Sequence, residues 1–175
     1  MLKVNATVMP GVFGNPRKMY IDVDGVLVVW DDACSCIELA RGFGRLMRFC
    51  LLHRIEPYWL SRWSADAHQR INSLLWPSWC RTMANPMVLN MAGGGNKAHA
   101  VDYDSDFVWI EDGLMPADAD YLRERDCLDR VFITDGRDPD CLMKFMDFAA
   151  ERLRLPPIVE WHENVELPFR LGPGG

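Results

Sequence analysis

Residues 19–30 read MYIDVDGVLVVW, and within them Asp22 and Asp24 stand one residue apart, after an apolar run and directly before Gly25. Two carboxylates where a buried strand ends are groups that could do acid–base or covalent chemistry, and they raise the question of why the chain places them there. On an extended backbone, alternation puts such a pair on the same side, and Gly25 lets the chain turn away sharply. Asp and Gly are also ordinary turn formers, so DVDG alone is equally readable as a loop. The choice rests on which other groups the fold brings to the same place.

Strand-like and helix-like stretches alternate along the chain. MYID is a short apolar run, read as a strand. Residues 35 to 52 follow, with Ile37, Leu39, Ala40, Phe43, Leu46, Met47 and Cys50 on roughly one helical face and Ser35 as cap. PYWLS reads as a second strand. Ser64 can cap a helix over ADAHQRINSLLW that stops near Pro77. MVLNM, residues 87 to 91, is the third strand, broken by the glycines at 93–95 and followed by a short helix from Asn96 to about Val101. DFVWIE is the fourth strand and LDRVFIT the fifth. A last helix starts at Pro139 behind Asp138 and runs to about Leu153. This order predicts an α/β fold: a parallel sheet with helices on both faces, whose ligands bind beyond the carboxyl ends of the strands.

Asp22 and Asp24 fall at such an end. Strand two ends in Ser61, followed by Arg62. Lys97 opens the helix before strand four, which itself ends in Glu111 and Asp112 before Gly113. Strand five ends in Thr134 and Asp135. Each is unremarkable alone: serine caps loops, a helical lysine is usually solvated, and an acidic pair before glycine makes a turn. Their shared position is the signal.

In this order the pieces resemble the haloacid dehalogenase-like (HAD) superfamily, which is mostly phosphohydrolases. The resemblance spans residues 19 to about 135. It is carried by Asp22-Val23-Asp24-Gly25-Val26-Leu27 after an apolar strand, by Trp59-Leu60-Ser61, by Lys97, and by Val108-Trp109-Ile110-Glu111-Asp112, where the family more often has two aspartates. It implies a three-layer Rossmann-like sheet. Asp22 would be the nucleophile that forms an aspartyl-phosphate, and Asp24 the acid and base. Ser61 and Lys97 would bind the phosphoryl group. Mg2+ would be held by Asp22, the backbone carbonyl of Asp24 and the fourth-motif acid, with Asp112 preferred and Glu111 beside it. Arg62 either meets a phosphate or pairs with an acid. Asp135 either holds a loop or lies near the metal, and Trp30 falls where the family carries a flap. The intervals 28 to 56 and 65 to 96 leave no room for a separate cap domain, so the member implied is a capless one. Its open site suits a large substrate or closure by a partner.

The rest of the sequence bounds this reading. With 175 residues and 49% hydrophobic content, one domain with a real core is expected over residues 1–155, with 156–175 as a tail. A net charge of −6 disfavours general adhesion to nucleic acid. The six cysteines form no CxxC pair and no zinc spacing, and most lie in apolar stretches, which predicts reduced thiols in a cytoplasmic protein. The first eighteen residues do not resemble a signal peptide. No apolar run approaches the ~18 residues of a membrane span. The histidines are read as surface or packing residues, and Trp59, Trp63, Trp76, Trp79 and Trp109 as core. Two alternatives to a Mg2+-dependent phosphatase stay open: a binding or regulatory module on the same fold with little turnover, and an enzyme acting on phosphorylated nucleic-acid ends.

Overall fold

The computed structural model describes residues 16–31, 36–62, 87–90, 95–135 and 137–156. Five strands form one parallel sheet: β1 (Arg17–Ile21), β4 (Ile55–Ser61), β5 (Met87–Asn90), β6 (Asp106–Glu111) and β7 (Val131–Ile133). Their spatial order is β5-β4-β1-β6-β7. The chain therefore builds outward from β1 through β4 to β5, then returns to the other side of β1 for β6 and β7. The direction reverses between β1 and β6, and a doubly wound sheet opens its binding crevice at such a reversal. This is an α/β architecture on a parallel sheet.

The strands form because their residues are apolar on both sides, as a sheet covered on both faces requires. Met19, Ile21, Trp59, Val108 and Ile110 pack on one face with α1 (Phe43–His53) and α3 (Cys141–Arg152). Tyr20, Tyr58, Leu60, Phe107 and Trp109 pack on the other with Ala98, Val101 and Leu122 of α2 (Pro116–Arg123). Alternation along β1 thus sorts Met19 and Ile21 from Tyr20. Trp59 and Trp109 are fully buried, as expected of core aromatics; Trp63, Trp76 and Trp79 lie outside the described residues.

Several expectations are corrected. The stretch 35–52 is not one helix. Val28–Asp31 (β2) and Cys36–Leu39 (β3) pair antiparallel as a separate two-stranded ribbon, and α1 starts only at Phe43. The helical spacing of Ile37, Leu39 and Ala40 lost to strand pairing of β-branched and apolar residues. Gly42, with φ 92°, starts the helix in a left-handed conformation, which glycine adopts without a Cβ penalty. The expected helix at 96–101 is a single tight 3₁₀ turn, Lys97–Ala100, capped by the Asn96 side chain accepting from Ala98 N–H. Residues 128–130 form a 3₁₀ turn, and the fifth strand is only Val131–Ile133. The last helix begins at Cys141, two residues after Pro139, while Asp138 accepts from the Asp140 amide ahead of it. Helix α2 was not anticipated; Pro116 sits in its first turn. The helix expected over 65–76, its Ser64 cap, Ser35 and the tail 156–175 lie outside the described residues, apart from Pro156.

Between β1 and β4 the described residues form the ribbon and α1. Most of the second interval, 65–96, lies outside the described residues. No helix among them is long and apolar enough to cross a membrane. Cys50 and Cys141 are buried free thiols. Burial pushes the Cys50 thiol up to about 12, so it is an inert core group.

Candidate functional site

The buried polar groups of the described residues are Asp22, Ser61, Lys97, Ser105, Glu111, Asp118 and Thr134. All but Ser105 belong to the carboxyl ends of strands or to the segments beside them. Burying charge is unfavourable unless it is paired, so their concentration marks where the fold does something other than pack.

Asp22 follows directly on β1, and its amide donates to Ile110 O of β6 at 3.1 Å. The aspartate is therefore fixed at the reversal between the two central strands. Its Oδ1 accepts from its neighbour's amide, Val23 N, at 2.8 Å and lies 3.0 Å from Lys97 Nζ. Lys97 also donates to Glu111 Oε2 at 2.8 Å. All three side chains are at least nine-tenths buried. Asp112, the residue after Glu111, is exposed at the rim. Asp22, Glu111 and Asp112 each present one carboxylate oxygen within 4.8 Å of the others.

The turn after Asp22 explains the glycine. Val23 is buried in the core, and Asp24 is exposed and bridged to Val28. Gly25 has φ +73°, and a Cβ there would lie 2.2 Å from Asp112 Oδ2. The position therefore demands glycine twice, for backbone angle and for the approach of the acidic side chain. Asp22 and Asp24 consequently differ in setting: one is buried on Lys97, the other faces solvent.

Among the described residues one ammonium, Lys97, contacts two of these three carboxylates. Burial, and then the charge of Asp22, push the Glu111 carboxyl up to about 9, against the lowering influence of Lys97. Asp112 is raised for the same two reasons, in the same order. The cluster is short of positive charge. Its donors are all carboxylate oxygens, the set that suits a hard divalent cation such as Mg2+.

The other expected residues fall as follows. Ser61 is fully buried at the end of β4, beside β1. Arg62 pairs with an acid: its guanidinium is 3.7 Å from Asp118 Oδ2. Asp135 holds its own loop, its Oδ1 accepting from Arg137 N and Asp138 N at 2.9 Å each. His99 is exposed and rests on the Tyr121 ring, outside the acidic cluster. Trp30 lies in β2. Asp118 was not foreseen. In PADAD it has the look of any acid in a helix's first turn, like Asp120 beside it. Only burial separates the two, since Asp118 is 1% exposed and Asp120 points outward to Arg123.

Fold and site together define an α/β protein with a buried lysine–carboxylate centre at the switch point of a parallel sheet. No protein-family model matches the chain, and no curated protein matches it.

Proposed function

We propose that the chain is a Mg2+-dependent phosphomonoester hydrolase of the HAD-like kind, built on a three-layer Rossmann-like sheet without a cap domain. The observation that carries this reading is the buried Asp22 carboxylate, held 3.0 Å from Lys97 with two further carboxylates within reach of one cation. Asp22 attacks phosphorus, the bond to the leaving oxygen breaks, and Asp24 gives that oxygen its proton. Asp24 then takes a proton from water, the resulting hydroxide attacks the aspartyl-phosphate, and inorganic phosphate leaves with Asp22 restored. Asp24 is exposed, which suits a group that must exchange protons twice per cycle.

Lys97 pairs with Asp22 and offsets charge on the transferring group, and Ser61 donates to a phosphoryl oxygen. Arg62 adds a second positive charge at the rim. Asp22, Asp112, Glu111 and the carbonyl of Asp24 would hold Mg2+, which when bound draws charge from the phosphoryl oxygens and lets an anion approach this acidic site.

Purified protein with Mg2+ should hydrolyse a generic aryl phosphate, and Asp22→Asn should abolish that activity. Equal rates for both proteins would remove Asp22 from the nucleophile's role. A second reading, a phosphate-binding module with little turnover, is favoured by one contact. Lys97 is shared, contacting Glu111 at 2.8 Å as well as Asp22 at 3.0 Å, so its charge is not reserved for the nucleophile. Beryllofluoride trapped at Asp22 without turnover would select that reading. A panel of nucleotides, phosphopeptides and phosphorylated DNA ends, with and without Mg2+, separates small from large substrates and tests nucleic-acid ends directly.

A further inference from the structure

Among the described residues, Asp118 is the one buried carboxylate that the proposed reaction does not use. Its side chain is 2% exposed, yet it belongs to the first turn of a helix that otherwise carries its acids outward. One oxygen, Oδ1, accepts from Ala98 N–H at 2.8 Å, and Ala98 is the residue directly after Lys97. The other, Oδ2, faces the guanidinium of Arg62 at 3.7 Å, and Arg62 is the residue directly after Ser61. A single carboxylate thus connects the turn that carries the lysine to the strand end that carries the serine.

A second tie runs beside it. Asn96 Oδ1 accepts from the same Ala98 amide at 3.0 Å, and Asn96 Nδ2 donates to Ala117 O at 3.1 Å. The start of α2 is therefore clamped onto the Lys97 turn. That turn is one short 3₁₀ segment, closed by the i→i+3 bonds from His99 N to Asn96 O and from Val101 N to Ala98 O, a shorter ladder than an α-helix has. The side chain of Arg62 is 43% exposed, and at 3.7 Å its contact with Asp118 is an ion pair too long to be a direct hydrogen bond. The guanidinium is held near the rim, where a half-exposed cation can turn toward an anion. A planar guanidinium suits a phosphate.

We propose that Asp118 is a positioning residue for this site: it fixes the Lys97 turn through the Ala98 amide and holds Arg62 at the rim as a second phosphate-facing cation. The Arg62 half of this rests on the phosphohydrolase reading above. The Lys97 half does not.

The test uses the full chain as wild type, Asp118→Asn, Asp118→Ala, Arg62→Ala and the Arg62→Ala/Asp118→Asn pair. Asparagine keeps an oxygen for the Ala98 amide and gives up the charge facing Arg62, whereas alanine gives up both. With an aryl phosphate and Mg2+, Asp118→Asn should raise KM about fivefold and leave kcat within about twofold, since only a binding contact is loosened. Asp118→Ala should in addition lower kcat by about tenfold or more, because a lysine displaced by a fraction of an ångström stabilises the reacting phosphoryl group poorly. The double variant should bind no worse than Arg62→Ala alone. Additive KM effects, or a wild-type KM for Asp118→Asn, overturn the proposal.

Two further measurements need no turnover. Hydrogen exchange at the Ala98 amide should quicken by about tenfold or more in Asp118→Ala and stay near wild type in Asp118→Asn. The Arg62 Nε–H resonance should be distinct in the wild type and collapse to the free-arginine position in Asp118→Asn. Unchanged exchange and an unchanged resonance overturn the proposal. If the wild type hydrolyses nothing while both signals follow this pattern, the phosphatase reading fails and takes the phosphate-facing role of Arg62 with it, and the positioning of the Lys97 turn by Asp118 stands.

Discussion

Lys97 is the residue on which the site's charge balance turns. Among the described residues it is the only ammonium in contact with Asp22 and Glu111, and both of those carboxylates are buried. Replacing it by methionine keeps the length of the side chain and removes the charge. The buried Asp22 carboxylate then loses its cation, beside a Glu111 that already carries a proton, a change that typically costs about 3–5 kcal/mol. Urea denaturation of Lys97→Met should show a loss of that order, partly restored by Mg2+. A variant as stable as wild type would mean that the contact between Lys97 and Asp22 contributes nothing to the fold. Gly25 makes a complementary case. Gly25→Ala must put a Cβ 2.2 Å from Asp112 Oδ2 at a φ of +73°, so Asp112 has to move. The expected result is a Mg2+ affinity weakened by about tenfold or more, with loss of stability limited to about 1–2 kcal/mol. Titration calorimetry beside a thermal melt separates the two effects. The place of Asp22, Glu111 and Asp112 at strand ends was legible in the sequence because an acid after an apolar run declares a strand end. Asp118 was not legible, because nothing in PADAD tells a buried acid from a solvated one.

At the scale of elements, the strands of the sheet were easier to read than the helices. DFVWIE is β6 residue for residue, and MYID and PYWLS each lie within or against an observed strand. Central parallel strands are apolar on both faces, so they stand out as runs. The stretch after DVDG was misread because its apolar residues satisfy a helical and an extended spacing at once. Pairing decided between them, with Val28 opposite Leu39 and Asp31 opposite Cys36. Once the true start at Phe43 is known, the phase of α1 is clear. Leu46 faces the core and is fully buried, while Leu51 is 56% exposed. Leu46→Ala should destabilise by about 2–5 kcal/mol, the usual cost of a cavity in a packed core. Leu51→Ala should change stability by no more than about 0.5 kcal/mol. Equal effects in chemical denaturation would mean that the helix lies in another rotation.

At the scale of the whole molecule, the topology explains why these groups meet. The strand order places the ends of β1 and β6 side by side at the reversal, so residues ninety apart in sequence, Asp22 and Asp112, share one small volume. The sequence pattern conveyed this through alternation of strands and helices, without revealing the order in the sheet; that order rests on which hydrophobic faces match in three dimensions. The same convergence links folding to pH. Glu111 ordinarily titrates at 4.5, and in the fold it is pushed up to about 9. Between those values the folded chain holds a proton that the unfolded chain has released, so stability must fall as pH rises. Asp112 is also raised and contributes in the same sense. His53 is lowered from 6.5, so its contribution increases with pH but is complete by about pH 7. Raised thiols such as Cys50, which start from 9.0, enter only above the window of interest. Chelator-treated protein should therefore melt at a lower temperature at about pH 8.5 than at about pH 7. Mg2+ replaces the proton as the cluster's missing positive charge, so it should raise the melting temperature more at the higher pH. Glu111→Gln should flatten both dependences. A Mg2+ shift of equal size at the two pH values would show that the cation binds elsewhere than among Asp22, Glu111 and Asp112.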